Sequence, residues 1–428
     1  MMKHQVSTHS LKSGAELLAV NLPHSGSVQF NTYVRSGYRY ANPQHYELPH
    51  LLEHLAFEGT KRYPNGPAFN EPIDRTGSYA NALTNPDENV YEFSTSPEQI
   101  WNILPLAVSQ LFEPLFKTRS IEQEKQVIES ELNEYQEDPE RRVGYRLNQT
   151  QIPSLRPSWK ARVRRMKTIG RSDIVRFHRE MYGTRNMRFV AAGPFGSARV
   201  RRLRKELNRL LAGRPRGRRI DWQPARLGNF QRKIKLLPAS WSQQYFSLDF
   251  ARAGYDERSL ASLRLLCALC DESPSARLYQ KVRRAGLAYG IDVDRGSDRD
   301  MTGLTVSAET NPRKFLPLLG LVVSELSALR RGRFTDSELE LARGNVIGGM
   351  ARTYETPRDY ADWYGERFAE DRSLISPEMR RREYAAVDRG ELIDTAQRYL
   401  TRDNWLLVVG GNHLPKEASL QKTLDAHF

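Results

Sequence analysis

The stretch Glu47-Leu48-Pro49-His50-Leu51-Leu52-Glu53-His54-Leu55-Ala56-Phe57-Glu58-Gly59-Thr60 decides how the rest of this chain reads. On a helix, positions i, i+3 and i+4 share one face. His50, Glu53 and His54 then point one way, while Leu51, Leu52 and Leu55 turn toward other neighbours. Neutral imidazoles at i and i+4 suit a zinc ion, with bonds of about 2.0–2.1 Å, and a carboxylate just before the second His can reach a water beside that metal. Pro49 fits only a first helical turn, which sets the pair near the helix N-terminus. An ordinary solvated face can carry the same pattern, so a third ligand is needed to decide.

At 428 residues the chain exceeds one ordinary core, and domains of roughly 100–200 residues would number two to four. An apolar fraction of 39% with 27% charged residues describes a soluble globular protein. No apolar run approaches the roughly 20 residues of a membrane span, and the opening MMKHQVSTHSLKSGAELLAV lacks the pattern of a secretion signal. A cytoplasmic location with no membrane partner is the expectation. Cys267 and Cys270 are the only cysteines, which excludes a disulfide framework and a four-cysteine zinc site. They lie in the apolar run SLASLRLLCALC and read as core.

The net charge of +14, from 65 Lys and Arg against 51 Asp and Glu, attracts anions. Its densest stretch, SARVRRLRKELNRLLAGRPRGRR (197–219), interleaves Arg with Val200, Leu203, Leu207, Leu210 and Leu211 at helical spacing. It reads as one buried and one solvated helix face rather than a phosphate-binding strip, and no nucleic-acid partner is expected.

The chain also repeats itself. RFHREMYGTRNMRFVAAGPF (176–195) and ELIDTAQRYLTRDNWLLVVGGN (391–412) both run from an amphipathic helix through Tyr, Thr-Arg and Asn to an apolar strand closing on Gly, with Tyr182, Thr184, Arg185 and Asn186 answering Tyr399, Thr401, Arg402 and Asn404. Two homologous α+β domains follow, each an antiparallel or mixed sheet with helices packed on one face. The expected division is 1–213, a basic Gly/Pro-rich linker at 214–230, and 231–428. H-x-x-E-H occurs only in the first.

Two His residues leave a tetrahedral ion one protein ligand short of the open catalytic arrangement. The acidic segment IEQEKQVIESELNEYQEDPE (121–140) offers Glu124, Glu131 and Glu134 on one helical stripe and Glu122 and Glu129 on another. Such stripes are also common on solvated faces, and spacing alone does not choose among them.

Taken together, these segments resemble the pitrilysin/insulinase family of zinc peptidases, whose motif inverts the commoner H-E-x-x-H, and specifically its smaller members related to the mitochondrial processing peptidase. HLLEHLAFEGT resembles the family's metal helix, GSYANALTNPDENVYEF its substrate strand and hairpin, and EKQVIESEL its distal-glutamate helix. The resemblance implies one zinc per chain held by His50, His54 and Glu131, with Glu124 supporting the site and Glu53 as general base. It implies a substrate strand over Ser78–Ala82, with Asn81 and Ala82 pairing to the peptide. PSARLYQKVRRAGLAYGIDV is similar to the family's Arg/Tyr motif, which places Tyr289 at the substrate carbonyl. The family's Arg stands one residue further from the Tyr than Arg283 does, and that position here is Val282, so Arg283 or Arg284 is the candidate.

The implied function is a zinc-dependent metalloendopeptidase that hydrolyses short or unfolded peptides. In the family the Arg/Tyr pair comes from a different half-molecule than the zinc. A dimeric chamber is therefore expected, either a homodimer or a heterodimer with a related subunit, and positive charge inside it would favour acidic peptides. The alternative is a non-catalytic or partner-dependent subunit that binds peptides.

Overall fold

In the computed structural model, which describes residues 3–426, the alternating segments of the N-terminal half become β1 (Gln5–Ser10), β2 (Glu16–Asn21), β3 (Val28–Val34), β4 (Tyr79–Thr84), β5 (Asn89–Thr95) and β6 (Met187–Gly193). They form one sheet in the order β1-β2-β6-β3-β5-β4, antiparallel except where β2 runs parallel to β6. The C-terminal half supplies β7 (Lys233–Pro238), β8 (Gln244–Asp249), β9 (Arg252–Ala253), β10 (Asp292–Ser297), β11 (Met301–Thr310) and β12 (Leu406–Gly411). Their order is β10-β11-β8-β12-β7, with β9 beside β11 and β12 parallel to β7. Both are mixed sheets flanked by helices, the α+β class expected. Among the described residues no helix is long and apolar enough to cross a membrane.

Alternate residues of the first sheet separate two cores. Leu17 and Ala19 of β2 join a large one with Leu51, Leu52, Leu55, Leu104, Ile128 and Leu132. Leu18 and Val20 join a smaller one with Tyr360, Ala361, Tyr364 and Phe368. A strand whose successive side chains are all buried belongs to a sheet covered on both faces. The first cover comes from helices near in sequence. The second is the helix Pro357–Ala369, contributed by the far end of the chain.

The second sheet receives the reciprocal gift. Val143 and Leu147 of the helix Pro139–Gln151 are buried against Leu406 and Val408 of β12 and Ala251. Each such side chain contributes about 1.5–3 kcal/mol when fully buried, enough to fix which sheet the helix covers. The two compact units are therefore discontinuous: residues 1–132, 158–223 and 353–376 form one, and residues 133–157, 224–352 and 377–428 form the other. This differs from the contiguous division expected from the repeat, because periodicity reveals a buried helix face but not the sheet that buries it. The passage between units at Gln223 and Pro224 falls inside the 214–230 segment, which carries no helix or strand.

The repeat has a structural counterpart. Asn186 and Asn404, both buried, each donate from Nδ2 to a carbonyl at the end of the preceding helix, Met181 and Tyr399, at 2.9 Å. They satisfy terminal carbonyls that would otherwise be orphaned, at the turn into the strand.

The helix Pro357–Ala369 is held at its C-terminus by charge. Arg188 of β6 donates to the Phe368 carbonyl and, at 2.9 Å, to that of Ala369. Just beyond, Asp371 accepts from Arg35 at 3.0 Å and from Arg188 and Arg219. Burial raises the Asp371 pKa, but the three guanidiniums outweigh it and hold the carboxyl well below its usual range. At mid-helix, Gly365 lets the backbone approach β3 so closely that a Cβ there would lie 2.3 Å from the Tyr33 hydroxyl. Gly365→Ala should therefore cost about 1–3 kcal/mol through forced displacement, despite alanine's better helix propensity. Chemical denaturation of the two proteins measures it, and equal or greater stability would mean that the helix is not clamped to β3.

Candidate metal centre

The helix Leu48–Leu55 buries Leu48, Pro49, Leu51, Leu52 and Leu55, and that apolar grip sets the rotation of the whole turn. His50, Glu53 and His54 are left along its half-buried side. Opposite runs the helix Thr118–Glu137, which buries Ile121, Lys125, Ile128 and Leu132. That stripe leaves Glu124 and Glu131, two turns apart, flanking the histidines.

The Nε2 atoms of His50 and His54 lie 3.3 Å apart, and Glu131 Oε2 is 3.6 Å from the first and 3.8 Å from the second. His50, His54 and Glu131 are the one group of metal-type donors among the described residues, with their ligand atoms all within 4.8 Å of one another. Of the three glutamates on the acidic stripe, Glu131 meets the imidazole pair. Glu124 meets the far side of His54, and Glu134 is exposed.

Each imidazole is also gripped from behind. His54 Nδ1 donates to Glu124 Oε2 at 2.9 Å, and His50 Nδ1 to Glu47 Oε2 at 3.4 Å. A carboxylate only accepts, so it fixes the proton on Nδ1 and leaves the Nε2 lone pair for a cation. Two lone pairs and a carboxylate aimed at one point repel one another unless a positive ion sits among them. The donor set fits zinc, which takes imidazole nitrogen and carboxylate oxygen. Burial opposes a charge on His54, but Glu124, Glu53 and Glu131 outweigh it and raise its pKa.

Glu47 has no exposed surface and is reached by Arg162, which donates to both carboxylate oxygens, the Nη2 contact measuring 3.0 Å. Burial pushes the Glu47 pKa up, and the guanidinium overrides this, keeping the carboxyl below its ordinary value. Arg162 is itself boxed by the Tyr46 and Trp159 rings at 5.5 and 4.8 Å. Glu53 is oriented separately. Thr84 Oγ1 donates to Glu53 Oε2 at 2.5 Å, Asn89 Nδ2 donates to Thr84 Oγ1 at 2.7 Å, and Ser36 donates to Asn89 Oδ1 at 2.8 Å. One carboxylate oxygen of Glu53 is thereby fixed.

Sequence reasoning missed Glu47, Arg162, Thr84 and Asn89. Glu47 had a signal, since it stands at i−3 from His50 on the same helical side. Arg162 had none, lying 115 residues away in a basic segment.

Asn81 and Ala82 lie on β4, the edge strand next to β5. Ala82 is buried toward the large core, Asn81 is half-buried, and Tyr79 and Leu83 are exposed. In the second unit, Tyr289 is 81% exposed. Arg283 donates to its carbonyl at 2.8 Å and lies over its ring at 4.6 Å. Val282, standing where the family pattern has Arg, is fully buried in the helix Arg277–Arg284, so a charged side chain there has no exit. The cleft beside Tyr289, about 480 Å³, carries Glu140, Asp292, Asp294 and Glu309 on its walls. The positive charge expected to favour acidic peptides is not at this place.

Glu124→Gln and Glu47→Gln should each weaken zinc binding about 10–100-fold in chelator competition, whereas Glu134→Ala should leave it unchanged. Unaltered affinity in both glutamine variants would remove the proposed locking of the imidazoles.

The family model described as insulinase (peptidase family M16) matches residues 17–154, and that of the peptidase M16 inactive domain matches residues 168–346. A protein of Rickettsia bellii named as an uncharacterized zinc protease is 26% identical over 96% of this chain and 99% of its own length. Solved structures of a Helicobacter pylori protease and of a peptidase M16 inactive domain from Pseudomonas fluorescens superpose with TM-scores of 0.84, at 20% and 17% identity. Each alignment covers 96% of this chain and 100% of the other. With both family models matched in order along it, the chain belongs to the insulinase family, peptidase family M16.

Proposed function

We propose that this protein is a zinc-dependent metalloendopeptidase acting on short or unfolded peptides. The observation that carries the reading is the convergence of His50, His54 and Glu131 on one point, with Glu53 held by Thr84 on the same helix side. A zinc ion bound there supplies Lewis acidity to a water and to the scissile carbonyl. Glu53 takes the proton of the attacking water and delivers it to the leaving amine, a role worth about 10²–10⁴ in rate. The peptide lies along the outer edge of β4 as an added strand, its backbone pairing with Asn81 and Ala82, which gives affinity with loose sequence demands. Tyr289, with Arg283 fixing its loop, steadies the carbonyl oxygen as charge develops.

The reading includes a dimer in which the second unit of one chain completes the metal centre of the other. One sequence carries both sets of residues, which favours a homodimer, although a related partner subunit would serve as well. The competing reading is a peptide-binding subunit without its own activity. It draws support from the match of residues 168–346 to a family model described as inactive and from the displaced Arg of the Arg/Tyr motif.

Cleavage of a mixed library of unstructured peptides, with and without chelator and with metal content read on the same sample, separates the two. Chelator-sensitive cutting at about one zinc per chain is expected. Glu53→Gln should keep the zinc and lose the cutting, and bound zinc without cutting in the unaltered chain would favour the partner-dependent subunit. Mixing Glu53→Gln with Tyr289→Phe, each inactive alone, should restore about a quarter of full activity, because half the dimers of a C2 assembly would be mixed and each would hold one intact site. No recovery after subunit exchange would rule out a site shared between chains.

A further inference from the structure

The first sheet has a second open edge. Among the described residues β1 pairs with β2 on one side and with no strand on the other. Beside it, between β1 and the helix Ser197–Leu210, runs a groove of about 550 Å³. Its floor is the stripe Gln5, Ser7 and His9, which points to the same sheet face as Leu17 and Ala19. Its wall is Arg201 and Arg204, with Phe195 and Val200 at its apolar base.

The charges of this wall are unspent. Along the same helix Arg199 reaches Glu98 and Arg209 pairs with Glu206, but Arg201 and Arg204 meet no carboxylate among the described residues. The Arg204 Nε lies buried without an acceptor, so the guanidinium turns its remaining N–H groups to the groove that it lines. Burial and the Arg204 charge both depress the His9 pKa, so the positive charge of the groove is concentrated on its wall.

We propose that this groove binds an extended acidic peptide segment, which adds to β1 as a seventh strand and places carboxylates on Arg201 and Arg204. The spacing supports the match. Residues three apart on a helix lie about 5–6 Å from each other, and alternate side chains of a strand lie about 6.5–7 Å apart. Two arginines at i and i+3 therefore face two acids at i and i+2, while the free backbone groups of β1 pair with the peptide main chain. The inference is independent of the peptidase reading, because the site uses neither the metal centre nor β4.

The test is fluorescence anisotropy with the full-length Glu53→Gln chain, which leaves the probe uncut. The probe is a labelled octapeptide alternating Glu and Thr. Its controls are the Gln/Thr analogue, a block isomer with four Glu followed by four Thr, and a version N-methylated on alternate residues. The alternating peptide should bind about tenfold tighter than either the Gln analogue or the block isomer, and N-methylation along one edge should abolish binding. Arg204→Gln should cost a similar factor, and Arg201→Gln, at an exposed position, carries the same test if the Arg204 variant does not fold. Adding His50→Ala should change nothing. Equal binding of the block isomer, or displacement of the probe by equimolar inorganic phosphate, would reduce the groove to an unspecific anion patch and overturn the proposal. Loss of binding in the His50→Ala chain would overturn it too, by moving the peptide to β4.

Discussion

A carboxylate with no contact with water stays ionised only where partners hold its charge, and the one at Glu47 is held by Arg162. The geometry of the candidate metal centre depends on that pair. Arg162 keeps Glu47 ionised, Glu47 turns His50, and the turned His50 offers its Nε2 to the same point as His54 and Glu131. A buried charge pair is weak support for stability, since removing two charges from water costs several kcal/mol per ion. Here its product is orientation. The aromatic rings around Arg162 add to the case, because they hold the guanidinium from its faces while its edge serves Glu47.

The histidines are thus braced from two directions, His50 by Glu47 just before its own helix and His54 by Glu124 of the acidic helix, 70 residues away. Glu53 is braced by a third element, through Thr84 and Asn89. Independent supports confer precision that a single support cannot, since each restricts a different rotation. They also explain why so few residues of the metal helix are free to vary physically: five are packed, three face the site, and Pro49 belongs to both the packing and the turn.

Much of this was legible in the amino-acid order. His50, Glu53 and His54 were fixed to one side by helical geometry, and the leucines between them declared the packed side. The Tyr/Thr-Arg/Asn repeat was visible because Asn186 and Asn404 perform one task in each half, tying the end of a helix at the turn into a strand. The supports were not legible. Arg162 sits in a segment whose composition matches any solvated helix, and only the fold brings it to Glu47. Nor did the pattern of Val143 and Leu147, or of Tyr360 and Tyr364, say which sheet each helix would cover. The Arg of the Arg/Tyr motif is a mixed case: sequence showed that its place was taken by Val282, and burial supplied the reason that no charge could stand there.

The exchange of the helices Pro139–Gln151 and Pro357–Ala369 between the two sheets bears on how the chain acquires its fold during synthesis. A ribosome releases the last strand of the first sheet, β6, long before it releases the helix that closes that sheet's second face. Until that helix is made, the side chains that bury Leu18, Val20 and Val190 in the finished fold, Tyr360, Ala361, Tyr364 and Phe368, are not yet there. The helix 139–151 emerges early and waits in the opposite sense, its own sheet not yet made. Each sheet thus takes one of its covering helices from the other half of the sequence, and neither buries its full apolar surface until both stretches have been made.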